Sequence, residues 1–145
     1  MPNQRPYTNV LGLLNKAGLR PTRQRLALGR ILFESGTRHV TAEQLHDEAV
    51  AAGVAVSLAT AYNALHQFTD AGLLREVMVG PGRSCFDTNV SEHHHLYFED
   101  SGVVEDIPAG AAIVSALPQL PAGTRLSRVD VVVRVKGTVA PEDQD

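Results

Sequence analysis

A single cysteine, Cys85, stands among 145 residues, and tryptophan is missing altogether. One thiol cannot close a disulfide within the chain, so packing rather than covalent staples must hold the fold. Aromatic residues make up only 5% of the sequence, so the core must be aliphatic, built from Leu, Val, Ile and Ala. No apolar stretch approaches the roughly 18–20 residues needed to cross a bilayer. The first segment, MPNQRPYTNVLGLLNKAG, lacks the basic-then-apolar order of a secretory signal. These absences point to a reducing, cytoplasmic setting without membrane association. Hydrophobic residues are plentiful at 43%, enough for a packed core and too many for wholesale disorder. The length suits one ordinary domain or two small ones that depend on each other.

Acidic residues are scarce at the start of the chain. The first 38 residues hold seven basic groups (Arg5, Lys16, Arg20, Arg23, Arg25, Arg30 and Arg38) and one acid, Glu34. Residues 1–83 carry a formal balance of +3 and residues 84–145 a balance of −6, which together give the net charge of −3. A basic first half suits a phosphate-binding module, although an ordinary solvated face has the same composition.

Four helices are expected first. Val10, Leu11, Leu13, Leu14 and Ala17 recur at helical spacing over 8–18, with Gly18 as the stop. Pro21-Thr22 breaks the chain and caps a second helix reaching Gly36, with Leu26, Leu28, Ile31, Leu32 and Phe33 on its apolar face. Thr41-Ala-Glu-Gln44 reads as a capping box for a third, carrying Leu45, Ala49 and Val50 as far as Gly53. Ser57 caps a fourth, with Leu58, Ala61, Leu65 and Phe68 facing inward and Gly72 ending it. Extended runs at Leu73–Val79 and Ser84–Asp87, separated by Gly-Pro-Gly-Arg, fit a β-hairpin. Helices followed by a two-stranded ribbon are the plan of a winged helix, whose last helix enters the major groove.

The second half changes character. His95–Glu99 and Val103–Ile107 read as strands, Ala109–Leu117 as a short helix, and Arg125–Lys136 as a strongly β-branched strand. The fold class is therefore α+β: an N-terminal winged-helix DNA-binding domain (1–88) and a small α/β domain (89–145) with a frayed acidic tail from about 138. Such a thin layer leaves a strand edge and an apolar face to cover, so a second copy of the chain is the expected partner.

The chemistry concentrates in Glu92-His93-His94-His95. Alternation along a strand puts His93 and His95 on one face and Glu92 and His94 on the other. Asp87 lies shortly before this run and Asp106 on the next expected strand. Imidazole nitrogens mixed with carboxylate oxygens suit Fe(II), Mn(II) or Zn(II); solvated strand histidines are the plainer alternative. The fourth helix opens Ser57-Leu-Ala-Thr-Ala-Tyr-Asn63. There Tyr62 can meet a thymine methyl, Asn63 can pair with adenine, and Ser57 or Thr60 can bind phosphate. A solvated amphipathic helix would read the same way.

Five segments occur in an order that resembles the Fur family of regulators. They are Gly18-Leu-Arg-Pro-Thr-Arg-Gln-Arg25, His39-Val-Thr-Ala-Glu-Gln-Leu45, Leu58-Ala-Thr-Ala-Tyr62, Ala71-Gly-Leu-Leu74 and His93-His-His-Leu96. Within the family, Phe86-Asp-Thr-Asn-Val-Ser-Glu-His-His-His95 and Val104-Glu-Asp-Ile-Pro108 are most similar to the haem-linked iron-response (Irr-like) branch. The resemblance implies an iron-homeostasis regulator that binds an operator in double-stranded DNA as a homodimer, or as a tetramer on DNA. It implies regulatory metal ligands at His39, Asp87, His93, His95 and Asp106, loaded with Fe(II) or Mn(II), or with Zn(II) in vitro. A second metal, or haem, would use Glu92, His93, His94 and His95. DNA contacts would come from Arg20, Arg25, Ser57, Thr60, Tyr62 and Asn63.

Departures from the family pattern also matter. Phe98 and Ser101 stand where many members have the first Cys-x-x-Cys pair, so the all-cysteine structural zinc is excluded. Ile113 and Val129 stand at other positions of the second metal site. Asn63 replaces a common arginine, which implies a different operator. Two further readings are a PerR-like peroxide-sensing repressor and a small non-haem metalloenzyme; for the latter, no remaining residue is placed as a general base or substrate clamp.

Overall fold

The computed structural model describes residues 8–108 and 114–137. They fall into two compact units divided between Val90 and Ser91. The mixed helix-and-sheet fold agrees with the expected α+β class. Among the described residues, no helix is long and apolar enough to cross a membrane.

The first unit runs α1 (Thr8–Lys16), α2 (Arg23–Phe33), β1 (His39–Val40), α3 (Ala42–Ala51), α4 (Leu58–Asp70), β2 (Arg75–Gly80) and β3 (Arg83–Asp87). Side-chain caps start the last three helices. The hydroxyls of Thr22, Thr41 and Ser57 accept from the backbone N–H groups of Arg25, Gln44 and Thr60. Gln44 returns the bond to the Thr41 N–H at 2.9 Å, which completes the capping box. Gly72, at φ 82°, ends α4 in the left-handed region that side chains avoid.

Val10, Leu14, Leu28, Leu32, Leu45, Leu65 and Phe68 are all fully buried and form one cluster closed by Val40 and Phe86 from the sheet. Leu58, expected to face inward, is 38% exposed, and Leu11 and Val50 of the apolar patterns on α1 and α3 are 40% and 58% exposed. Leu45 and Ala49 already define the buried face of α3, and Val50 is turned about 100° from Ala49 on a helix of 3.6 residues per turn. Leu58 occupies the first turn of α4, beyond the edge of the core.

The sheet of this unit has the order β1-β3-β2, all antiparallel. The hairpin was expected; β1 was not. Its two residues are too few to show periodicity, yet they set His39 opposite Asp87 and Val40 opposite Phe86. The chain outside the ladder extends this pairing, since the Thr88 N–H donates to the Arg38 carbonyl at 3.0 Å.

In the second unit, β4 (His95–Phe98) lies between antiparallel β5 (Val104–Asp106) and parallel β6 (Val132–Val135). The strand expected over 125–136 is reduced to four residues because its partner β4 offers only four, and the chain from 125 to 131 is irregular. Residues 109–113 of the expected short helix lie outside the described residues, and Val114–Leu117 are not helical. Pro118 disfavours helical backbone at the residue before it. The tail from 138 also lies outside the described residues.

Gly29 is where α1 and α2 pass closely. A Cβ built there would sit 2.6 Å from Val10 Cγ1, whereas one at Gly12 meets nothing within 4 Å. Valine is stiff in a helix and cannot swing away. Gly29→Ala should therefore lose about 1 kcal/mol net, an overpacking cost of about 1–3 set against a helix-propensity gain of about 1. Gly12→Ala should instead be neutral or stabilising by up to about 1 kcal/mol. Urea unfolding midpoints check both, and a stabilised Gly29→Ala would contradict the packing.

Candidate functional site

In the first unit the register decides which groups meet. With β1 paired to β3, His39 Nε2 lies 3.1 Å from Asp87 Oδ2. Asp87 is fully buried, and its Oδ1 accepts from the Asn89 N–H at 2.9 Å. Arg75, also buried, is the partner of Asp87 on the other side of β3. Imidazole, carboxylate and guanidinium thus occupy one row across the sheet.

Strand β1 is fastened from behind. Arg38, next to His39, donates two bonds to the Glu48 carboxylate, at 2.8 and 2.6 Å, and Nη1 also reaches the Ile31 carbonyl at 3.3 Å. The hydrogen bond from Arg38, outweighing burial, holds the Glu48 carboxyl below its ordinary range, and the same bond raises the Arg38 guanidinium.

The second unit gathers His93, His95 and Asp106. Asp106 Oδ1 is 2.9 Å from His93 Nε2 and 3.4 Å from His95 Nε2, and the two rings lie 4.5 Å apart. His95 reaches Asp106 because the two are cross-strand partners. His93 was expected on the strand but precedes it; its place is set by a 2.6 Å hydrogen bond from Nδ1 to the Ser91 carbonyl. A carbonyl can only accept, so this contact calls for the Nδ1–H tautomer, in which Nε2 would turn its lone pair toward Asp106. A lone pair facing a carboxylate oxygen at that distance needs a proton or a metal ion between them. Such a ring, oriented by a backbone carbonyl, is the usual form of a metal-binding imidazole.

Glu92 and His94 follow a different path. His94 Nδ1 accepts from the Val131 N–H at 3.3 Å. Both residues line a cavity of about 580 Å³ with His93, Ile107, Leu126 and Val129. Val129 gives this cavity an apolar wall where a second cation would need a donor.

The residues expected to touch DNA lie on and around α4. Tyr62 and Asn63 are exposed on that helix, while Ser57 and Thr60 spend their hydroxyls partly on each other, 2.9 Å apart. Tyr62 donates to Glu43 on α3 at 3.2 Å. Desolvation, and then the Glu43 carboxylate, push its phenol up, so the hydroxyl remains a donor at neutral pH. The Tyr62 ring stacks on His66, and His66 meets Phe86 edge-on at 5.6 Å. Arg20 is exposed, and Arg25 is half-buried in a groove shared with Thr60 and Asn63.

Residues 16–120 match the family described as the ferric uptake regulator family. The chain belongs to the ferric uptake regulator family. Its Fur relatives include the ferric uptake regulation protein of Shigella flexneri, 40% identical over 63% of this chain and 62% of the relative. The peroxide-responsive repressor PerR of Staphylococcus aureus is 38% identical over 64% of this chain and 62% of the relative. The matched segment thus spans less than two thirds of these Fur-family relatives. Among solved structures, the Pseudomonas aeruginosa ferric uptake regulator with manganese aligns with a TM-score of 0.63 at 25% identity, covering 89% of this chain and 98% of that one. The Vibrio cholerae ferric uptake regulator aligns with a TM-score of 0.68 at 24% identity, covering 87% and 98%.

Sequence reasoning missed the supports rather than the donors. Gln67 lies four residues after Asn63 and seven after Thr60, on the same face of α4, and that spacing could have singled it out. Arg38 and Glu48 were not discoverable so simply, because they lie ten residues apart on either side of the turn into α3.

The Arg38–Glu48 pair has a pH signature. Because the folded Glu48 carboxyl lies below its unfolded value, the pair's stabilisation is fully present at neutral pH. It is lost as pH falls below the ordinary carboxyl range and through the lower folded value. The pair is partly exposed, so solvent screening limits it to about 1 kcal/mol or less. Glu48→Gln should lower the urea midpoint at pH 7, and the loss should shrink steadily as the medium is acidified through that range; a loss independent of pH would contradict this origin.

Proposed function

We propose that this protein is a metal-responsive, DNA-binding transcription regulator in which His39, Asp87, His93, His95 and Asp106 together hold one divalent cation. The observation that carries the reading is the donor chemistry. The first unit contributes a nitrogen and a buried carboxylate; the second contributes two imidazoles and a carboxylate drawn onto a single oxygen. Neither set alone fills a coordination sphere, and five nitrogen and oxygen donors without a thiolate suit Fe(II) or Mn(II). Zn(II) would bind the same donors in vitro. The cation supplies positive charge to carboxylates that are costly to bury.

Ligands drawn from both units make occupancy a constraint on the angle between them. In a dimer that angle sets the spacing of two α4 helices along a duplex. The dimer reading is supported by apolar side chains left exposed in the second unit, among them Val103, Leu117 and Leu126. A tetramer on DNA would be built from two such dimers. Arg20, Arg25, Ser57, Thr60, Tyr62 and Asn63 supply the duplex contacts, and the lone buried Cys85 suits the cytoplasm.

The iron-response reading rests on the segment from Phe86 to His95 and on the missing cysteine pair. Haem would find imidazoles at His93 or His94 beside the apolar wall of the 580 Å³ cavity. One imidazole cannot serve haem and the regulatory cation together, so haem would compete with the cation. A peroxide-sensing reading is the alternative, since PerR is 38% identical beside 40% for a ferric uptake regulation protein, and it would add an oxygen from peroxide to His39 or His93.

Operator fragments enriched from a random-sequence pool provide the test, with affinity measured without metal, with Mn(II) and with haem. The proposal expects chelation to change affinity at least tenfold, about 1.4 kcal/mol, and haem to oppose Mn(II). Equal affinity with and without Mn(II) would overturn it. Mass spectrometry of the Fe(II)-loaded protein after peroxide separates the sensing modes, since one added oxygen on His39 or His93 selects the PerR-like reading.

A further inference from the structure

Gln67 belongs to none of the residue sets assigned above, yet it governs one of their members. Arg25 Nε and Nη2 both donate to Gln67 Oε1, at 3.2 and 3.0 Å. Nη1 donates to the Arg20 carbonyl at 2.9 Å. These bonds join the start of α2 to the second half of α4 and commit three of the five guanidinium N–H groups. The other two have no partner among the described residues. Arg25 lines a groove of about 450 Å³ together with Arg20, Thr22, Thr60 and Asn63.

We propose that Gln67 is a positioning residue for DNA binding: it fixes the Arg25 guanidinium so that its uncommitted N–H groups meet a backbone phosphate while Asn63, one turn earlier on α4, meets the bases. The inference rests on the DNA-binding reading and deepens it. Arginine is long and rotamer-rich, so an unheld guanidinium would lose much of its phosphate bond to ordering. The identity of the holder also matters. A carboxylate at position 67 would grip Arg25 equally well but cancel the charge the phosphate needs. The neutral amide oxygen holds the group and leaves its charge available. Register and affinity are thereby linked, because phosphate contacts orient a reading helix on the duplex.

The test uses the full chain loaded with Mn(II) and a duplex of about 30 base pairs of mixed sequence, with affinity followed across salt concentration. Gln67→Ala, which keeps the charge but frees it, should weaken binding several-fold in the wild-type background and not at all in an Arg25→Ala background. Gln67→Glu, which keeps the grip but neutralises it, should weaken binding and reduce the slope of log affinity against log salt by about one. A merely structural role for Gln67 would weaken binding equally with or without Arg25 and leave the Gln67→Glu slope unchanged; either result overturns the proposal. Wild-type protein that fails to bind the duplex at low salt would overturn the DNA-binding reading as well. Wild-type binding with an unaffected Gln67→Ala variant would overturn this inference alone.

Discussion

A carboxylate withdrawn from water sets the terms for this structure. Asp87 is fully buried at the end of β3, and burying an isolated anion is far too costly to be left uncompensated. Its surroundings read as compensation: the His39 imidazole across the ladder, the Asn89 N–H, and Arg75 in the same cross-strand row. The pairing of β1 with β3 makes this possible, and the Arg38–Glu48 pair fastens β1 to α3. The hydrophobic core reaches the same point from the other side, since Val40 and Phe86 are the core residues adjacent to His39 and Asp87 in sequence. Packing and the placement of His39 and Asp87 are therefore fixed by the same two strands.

The same sheet leads toward α4. Phe86 touches His66, and His66 stacks on Tyr62. A change in the backbone around Asp87 is thus two ring contacts from a side chain expected to meet the bases. The second unit repeats the logic with different parts, using a backbone carbonyl to orient His93 and a cross-strand pairing to deliver His95. Strand pairing directs His39, Asp87, His95 and Asp106, whereas His93 is directed by the loop hydrogen bond to the Ser91 carbonyl.

Much of this was readable from residues. The caps at Thr22, Thr41 and Ser57 and the glycine stops announce helices through strictly local chemistry, so three helix starts and the hairpin could be located from the chain. Asp87, His93, His95 and Asp106 could be proposed as donors because histidines and acids cluster there, whereas His39 could be proposed only through the family resemblance. What escaped were features decided by distant partners. Strand β1 exists only because β3 passes beside it. The β-branched run from Val129 yields four strand residues because β4 is short. Val50 and Leu58 are apolar in composition but lie off the buried face by one helical step or at its end. Glu48 gains its role from Arg38, which no local rule pairs with it, and Gln67, although its spacing marks its face of α4, gains its bonds from Arg25 on α2.

The central claim is that donors from both units serve a single cation. Its most direct test is calorimetric titration of Mn(II) into metal-free protein and into the His39→Ala and His95→Ala variants, one lesion in each unit. The account predicts one regulatory ion per chain and a weakening in each variant at least as large as the roughly 10–100-fold loss usual for second-sphere changes. An affinity left unchanged by His39→Ala, beside a large loss in His95→Ala, would contradict it by confining the ion to the second unit.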